Sequence, residues 1–132
     1  AVRPATLLEI ARRNDLPLPG NTVEELEALY EFRDMDQFVV TWFMTTSVLH
    51  TRDDFRQIVV DYAREAADHG AIYVEAIFSP IGQVMRGVAW DEIFAGYCEG
   101  IELAWERTGA GPPMAPRTGH PPAGCSRSPG WW

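Results

Sequence analysis

Apolar residues recur at helical spacing over most of the chain up to Arg107, and at strand spacing over one stretch only. The helical pattern is clearest where Phe55, Ile58, Val59, Tyr62, Ala63 and Ala66 follow one another at i, i+3, i+4 and i+7. Thr51-Arg52-Asp53-Asp54 starts that helix, and His69 and Gly70 close it, with Gly70 just past the cap. Four further helices are predicted. The first follows Pro4, opens with a capping box at Thr6-Leu7-Leu8-Glu9 and ends at Asn14-Asp15, with Leu7, Leu8, Ile10 and Ala11 inward. Thr22-Val23-Glu24-Glu25 is a second capping box, opening a short helix to about Tyr30. Asp34 caps a third helix rich in aromatic residues, with Phe38, Val39, Trp42, Phe43 and Met44. The last runs from Trp90 to about Arg107, with Ile93, Phe94, Tyr97, Cys98, Ile101, Ala104 and Trp105 on one face. Leu16-Pro17-Leu18-Pro19-Gly20 is a rigid linker, and Ile81 to Gly87 reads as a loop.

The strand signal is Gly70 to Pro80. Ile72, Val74, Ala76 and Phe78 lie on one face and Tyr73 and Ile77 on the other. A strand apolar on both faces is expected at the centre of a parallel sheet, covered on both sides. Ser79 then falls at its carboxyl end, where open α/β sheets and β/α barrels place ligands. The fold class expected is α/β: mainly helical, with one central parallel strand whose neighbours are not evident in the chain.

With 132 residues the chain has room for one domain of ordinary size. A net charge of −8 argues against nucleic-acid or anionic-membrane partners. Neither a membrane span nor a secretory leader is visible, and two cysteines without metal spacing suit a reducing, cytoplasmic setting. All 11 basic residues are Arg, a bias that suggests a GC-rich source genome. The last acidic residue is Glu106, and from Gly109 onward Pro or Gly fills 11 of 24 positions. Residues 108–132 are therefore expected to be either a disordered tail or an out-of-frame translation of GC-rich DNA.

Chemistry-bearing residues are few. His50, His69 and His120 form no pair at metal-ligand spacing, and the first two fall at helix carboxyl ends, which the helix dipole explains. Glu75 inside an apolar strand suits a buried ion pair with an Arg better than an acid lining a site. The Phe38, Trp42 and Phe43 group suits core packing better than a ligand lid. Gly96 and Gly100 weaken a helix but allow close packing, and Cys98 on its apolar face suits a small packed hydrophobe.

Several strings resemble the amino-proximal third of an adenosine deaminase. They are Arg3-Pro4-Ala5-Thr6-Leu7-Leu8-Glu9-Ile10-Ala11 with Arg13-Asn14, Leu16-Pro17-Leu18-Pro19, Phe32-Arg33-Asp34 with Phe38, and Asp54-Phe55. The most specific is Gly70-Ala71-Ile72-Tyr73-Val74-Glu75 with Phe78-Ser79-Pro80. The likeness covers about residues 1–107. It implies an incomplete (β/α) barrel of a zinc-dependent hydrolase that replaces the 6-amino group of a purine nucleoside with oxygen. The family's metal-binding H-x-H pair precedes the segment that starts here at Ala1, and its remaining ligands and catalytic Glu follow later, so neither metal ligands nor catalytic residues are expected in this chain. The resemblance places Phe38, Trp42 and Ser79 at the purine pocket. Where the family often carries an Arg two residues after the strand Glu, this chain has Ile77. The function expected is that of a deaminase fragment, inactive alone; the alternatives are a non-catalytic helical interaction module and a non-functional gene fragment. A lone barrel strand with open edges is expected to be marginally stable and prone to aggregate.

Overall fold

The computed structural model describes residues 2–77 and 79–108. Phe78, the side chain of Trp105, His120, Cys125 and the rest of the tail lie outside the described residues, and so does the expectation of a disordered or out-of-frame tail. Six α-helices follow in order: α1 (Pro4–Arg13), α2 (Val23–Glu27), α3 (Met35–Ser47), α4 (Arg52–Asp68), α5 (Ile81–Met85) and α6 (Trp90–Thr108). A 3₁₀ turn, Ala28–Tyr30, extends α2. Among the described residues no helix is long and apolar enough to cross a membrane.

Local capping chemistry sets most of the boundaries. The Thr22 side chain accepts from the Glu25 N–H, that of Asp34 from Gln37, and that of Thr51 from Asp54. At Thr51 the capping box is complete, because the Asp54 carboxylate accepts from the Thr51 N–H in return. The box expected at Thr6 does not form. Helix α1 starts three residues earlier, with Arg3 at the cap and Pro4 in its first turn, and Thr6 Oγ1 instead donates to Asp61 at 2.8 Å. Three helices end alike. Asp15, Gly70 and Gly87 take the left-handed conformation, and in each case two N–H groups turn back onto the last carbonyls. After α4 these bonds run from Gly70 to Ala67 and from Ala71 to Ala66, each 2.9 Å. The same geometry at Gly87 closes α5, so the loop expected over Ile81–Gly87 contains a short helix.

The core is helical. Leu7, Ile10 and Ala11 of α1 meet Leu26 of α2, Val48 and Leu49 after α3, Phe55 of α4 and Ile93 of α6. Leu16 and Leu18 of the proline-rich linker pack against this cluster, so the linker is part of the core wall. Helices α4 and α6 lie closest. A Cβ on Gly96 would stand 2.4 Å from the Arg52 carbonyl oxygen, and one on Gly100 2.6 Å from Val59 Cβ. The two glycines are where the backbones touch. Phe55 stacks on Tyr97 across the same seam, with ring centroids 5.8 Å apart.

The central strand is not present among the described residues. Residues 71–77 form neither helix nor strand, and Ile72 lies in a bend. Ile72 and Ile77, assigned to opposite buried faces by their spacing, are 87% and 97% exposed. The physical reason is that a strand is not a local structure: its N–H and C=O groups need neighbours to form a ladder. Glu75 is likewise not buried and has no Arg partner among the described residues. Its carboxylate accepts a hydrogen bond from the Tyr73 hydroxyl at 2.6 Å, and that bond raises the Tyr73 phenol above its ordinary pKa.

Candidate functional site

Helix α3 carries two of the three residues assigned to a purine pocket. Its orientation is the reverse of a surface helix. The side turned inward is Thr41, Thr45 and Thr46, whereas Met35, Val40 and Phe43 are 70%, 68% and 51% exposed. Burying Thr45 and Thr46 costs little, because their hydroxyls are satisfied within the helix. Thr45 Oγ1 donates to the Trp42 carbonyl at 3.0 Å and Thr46 Oγ1 to the same oxygen at 2.9 Å. Phe38 and Phe43 are therefore not core residues. Phe38 meets Phe32 edge to face at 5.2 Å, and Trp42 meets Phe43 at 5.0 Å. Ser79 is exposed one residue before Pro80, which leads into α5. No hydrogen bond or ring contact among the described residues joins Ser79 to Phe38 or Trp42. Both rings lie on α3, and Ser79 precedes α5.

Behind α3 lies Tyr30. Its hydroxyl donates to the Val2 carbonyl, tying the end of the 3₁₀ turn to the start of the chain. Burial pushes its phenol up to about 12, against a smaller opposing effect of a hydrogen bond with Thr45.

The most heavily bonded group is Asp54, whose side chain is fully buried. One carboxylate oxygen accepts from the Arg13 guanidinium. The other accepts from Asn14 Nδ2 at 2.8 Å and from the N–H groups of His50 and Thr51, each at 2.9 Å. Burial by itself would raise this carboxyl; the Arg13 bond, the two backbone N–H groups and Asn14 together outweigh it and hold the group below its ordinary value. Asp54 thus joins the end of α1, the loop after α3 and the start of α4. Sequence reasoning placed it at the start of a helix but did not find this hub, since Arg13 and Asn14 lie about forty residues away.

Sequence reasoning also missed Gln83. On α5 it is buried, and its Oε1 has no hydrogen-bond partner among the described residues. A buried carbonyl oxygen left unpaired costs about 1–3 kcal/mol. Gln83→Met, which keeps the volume and removes that oxygen, is expected to leave the urea midpoint unchanged or raise it. A lower midpoint would show that the amide is engaged.

A sequence profile of the adenosine deaminase family matches residues 1–114. The chain belongs to the adenosine deaminase family. It is 56% identical over 108 residues to an aminodeoxyfutalosine deaminase of Acidothermus cellulolyticus, covering 82% of this chain and 30% of that one. It is 30% identical over 109 residues to an adenine deaminase of Caulobacter vibrioides, covering 83% and 32%. Its fold matches the crystal structure of an adenine deaminase from Arthrobacter aurescens with a TM-score of 0.75 and 30% identity, covering 82% of this chain and 33% of that one. The chain thus spans about a third of the length of these relatives.

Metal binding, which the family resemblance implies, does not fit the described residues. No three His, Cys, Asp or Glu side chains come together there. His50 Nε2 is bonded to the Ser47 carbonyl at 2.9 Å and His69 Nδ1 to the Glu65 carbonyl at 2.8 Å, each within its own turn. Asp54 has both oxygens committed to donors.

Proposed function

We propose that this chain is the part of a purine-type deaminase that frames the substrate pocket without supplying its catalytic groups. The complete reaction would replace the amino group of an adenine ring with oxygen, and aminodeoxyfutalosine is a better candidate substrate than free adenine. The observation that carries this reading is the contrast in identity over nearly the same residues: 56% to the aminodeoxyfutalosine deaminase against 30% to the adenine deaminase. In this reading Phe38 and Trp42 form an apolar wall for the purine, and Ser79 supplies a hydroxyl at its edge. Asp54 and Arg13 hold the frame that carries α3. Zinc, the metal expected for the family, would be held by residues outside the described ones. The chain alone is inactive. The deaminase portion includes residues 1–107.

The test is a chimera. Residues 1–108 would replace the matching 108 residues of the Acidothermus cellulolyticus relative, with ammonia release measured from aminodeoxyfutalosine, adenine and adenosine. The chimera is expected to keep activity on aminodeoxyfutalosine within about tenfold of its parent, a loss of about 1.4 kcal/mol of transition-state stabilisation or less. The 132-residue chain by itself is expected to release none. Turnover by the chain alone, or a folded chimera that accepts only adenine, would overturn the reading.

A further inference from the structure

On the deaminase reading above, we infer that Arg86 is a positioning residue for the purine pocket. It acts through other residues. From the end of α5 it holds the helix that carries Phe38 and Trp42 against the segment that carries Ser79.

The carboxyl end of α3 has carbonyls that the helix itself does not fully satisfy. In a continuing helix the Thr46 carbonyl would accept from the His50 N–H, four residues on. That N–H is diverted to the Asp54 carboxylate at 2.9 Å. The Leu49 N–H reaches the Thr46 oxygen at a longer 3.3 Å. Arg86 supplies a shorter bond, its guanidinium donating to that oxygen at 3.0 Å. A cation at this end of a helix is also favoured by the dipole. The Val48 carbonyl is taken in turn by Asn14 Nδ2, from the end of α1, at 3.0 Å. Val48 and Leu49 then enter the core, so this is the anchored end of α3. Trp42 lies one turn before Thr46 and Phe38 two turns before it, so a grip on Thr46 sets where both rings stand.

The backbone of Arg86 belongs to the segment that follows Ser79. The N–H groups of Gln83 and Val84 both bond the Pro80 carbonyl at 3.0 Å, and the Arg86 N–H returns to the Gln83 carbonyl at 3.1 Å. Pro80 to Arg86 is thus one bonded unit, and Ser79 is the residue before it. Arg86 also differs from most arginines of the chain in its partner. Arg3, Arg13, Arg52, Arg56 and Arg64 pair with carboxylates. Among the described residues Arg86 has no carboxylate partner and bonds the backbone of another helix instead. A long side chain with several donors suits such a link between two elements. Loss of the bond would loosen the spacing between Ser79 and the two rings.

The test uses the chimera described above, with Arg86→Met, Arg86→Lys and, as a control, Arg64→Met. Arg64 is an exposed residue of α4 paired with Asp61. The rings and the hydroxyl would contact the purine alike before and during reaction, so a misplaced wall shows in KM rather than kcat. Arg86→Met keeps the reach of the side chain and removes its donors. It is expected to raise KM for aminodeoxyfutalosine at least about fivefold, with kcat within about twofold of the parent. Arg86→Lys keeps a donor for the carbonyl and should recover most of that loss. Arg64→Met should leave both constants unchanged. KM does not depend on how much of the enzyme is folded, so partial misfolding cannot mimic the result. A merely structural role predicts a lower urea midpoint and less active enzyme at an unchanged KM, and that outcome would overturn the role given to Arg86. So would an Arg86→Lys enzyme no better than Arg86→Met. An active chimera indifferent to Arg86→Met would remove this role and leave the deaminase reading standing. A parental chimera without turnover would overturn that reading, and the role of Arg86 with it.

Discussion

Asp54→Asn is expected to destabilise the chain by about 3 kcal/mol, because it replaces a buried group that joins α1, α4 and the loop between α3 and α4. The substitution conserves shape. It removes an acceptor, though, and puts an amide N–H₂ where donors already point. Arg13 approaches one carboxylate oxygen; Asn14, His50 and Thr51 approach the other. Whichever way the new amide turns, at least one donor loses its partner in a buried position. The Arg13 side chain is 40% exposed, so water screens much of the ionic attraction. Most of the loss therefore comes from the stranded buried N–H groups. For a domain of this size 3 kcal/mol lowers Tm by more than about 10 °C. Asp53→Asn is the control. Asp53 is 61% exposed and pairs with Arg56 one turn on, so its loss is expected to stay within about 0.5 kcal/mol. The pH dependence follows from the lowered carboxyl. Its stabilising contribution is fully present above the ordinary value of 3.8 and is lost as pH falls through the lower, folded-state value. Unfolding followed by circular dichroism between pH 5 and 2 should show the wild type losing stability more steeply than Asp54→Asn in the acid part of that range. Equal losses from Asp53→Asn and Asp54→Asn would refute the role given to the hub.

The same contrast between near and distant partners explains how far the sequence could be read. The caps at Thr22, Asp34 and Thr51 and the helix ends at Asn14-Asp15 and Gly70 were legible because donor and acceptor lie within a turn of each other. At Thr6 two local signals competed. Proline in the first turn has its backbone angle already set for a helix, so it won over the capping box and released Thr6 to bond Asp61. The short helix α5 was not legible. It has no side-chain cap, and it is held partly from outside, by Arg86 donating to the Thr46 carbonyl of α3 at 3.0 Å.

The candidate site was less legible than the fold. Nearly every turn of α3 carries apolar residues, so spacing could not say which side faces inward; the threonines that do so give no hydrophobic signal. The segment 70–80 has the composition of a buried strand, but composition cannot supply a neighbour, and Glu75 consequently stands in solvent beside Tyr73 rather than against an Arg. Phe38, Trp42 and Ser79 were assigned by family resemblance alone. The structure places the first two on one helix and Ser79 just before α5. The family membership itself was legible, because contiguous strings such as Gly70 to Glu75 carry it without reference to packing.

Gly96→Ala and Gly82→Ala are expected to change stability in opposite directions, although each exchanges a helical glycine for the best helix former. In an unobstructed helix the exchange stabilises by about 1 kcal/mol. Gly82 on α5 is such a position, since the nearest atom to a new Cβ is the mobile end of Arg86 at 3.5 Å. At Gly96 the new methyl would meet the Arg52 carbonyl oxygen at 2.4 Å and Phe55 Cβ at 2.7 Å. Neither can step aside. The first is backbone in the opening turn of α4, and the second anchors a fully buried ring at the centre of the core. Separating α4 from α6 by about an ångström would also loosen the Phe55–Tyr97 stack. Overpacking typically costs about 1–3 kcal/mol, and against backbone the upper end applies, so the helical gain is outweighed. Gly96→Ala should therefore lower the urea midpoint and Gly82→Ala should raise it. Gly100→Ala should behave like Gly96→Ala, because its new methyl would meet Val59 Cβ at 2.6 Å and the Arg56 carbonyl oxygen at 2.9 Å. If all three substitutions stabilise the chain, α4 and α6 do not pack through their glycines. The seam that carries the helical core would then have to lie elsewhere.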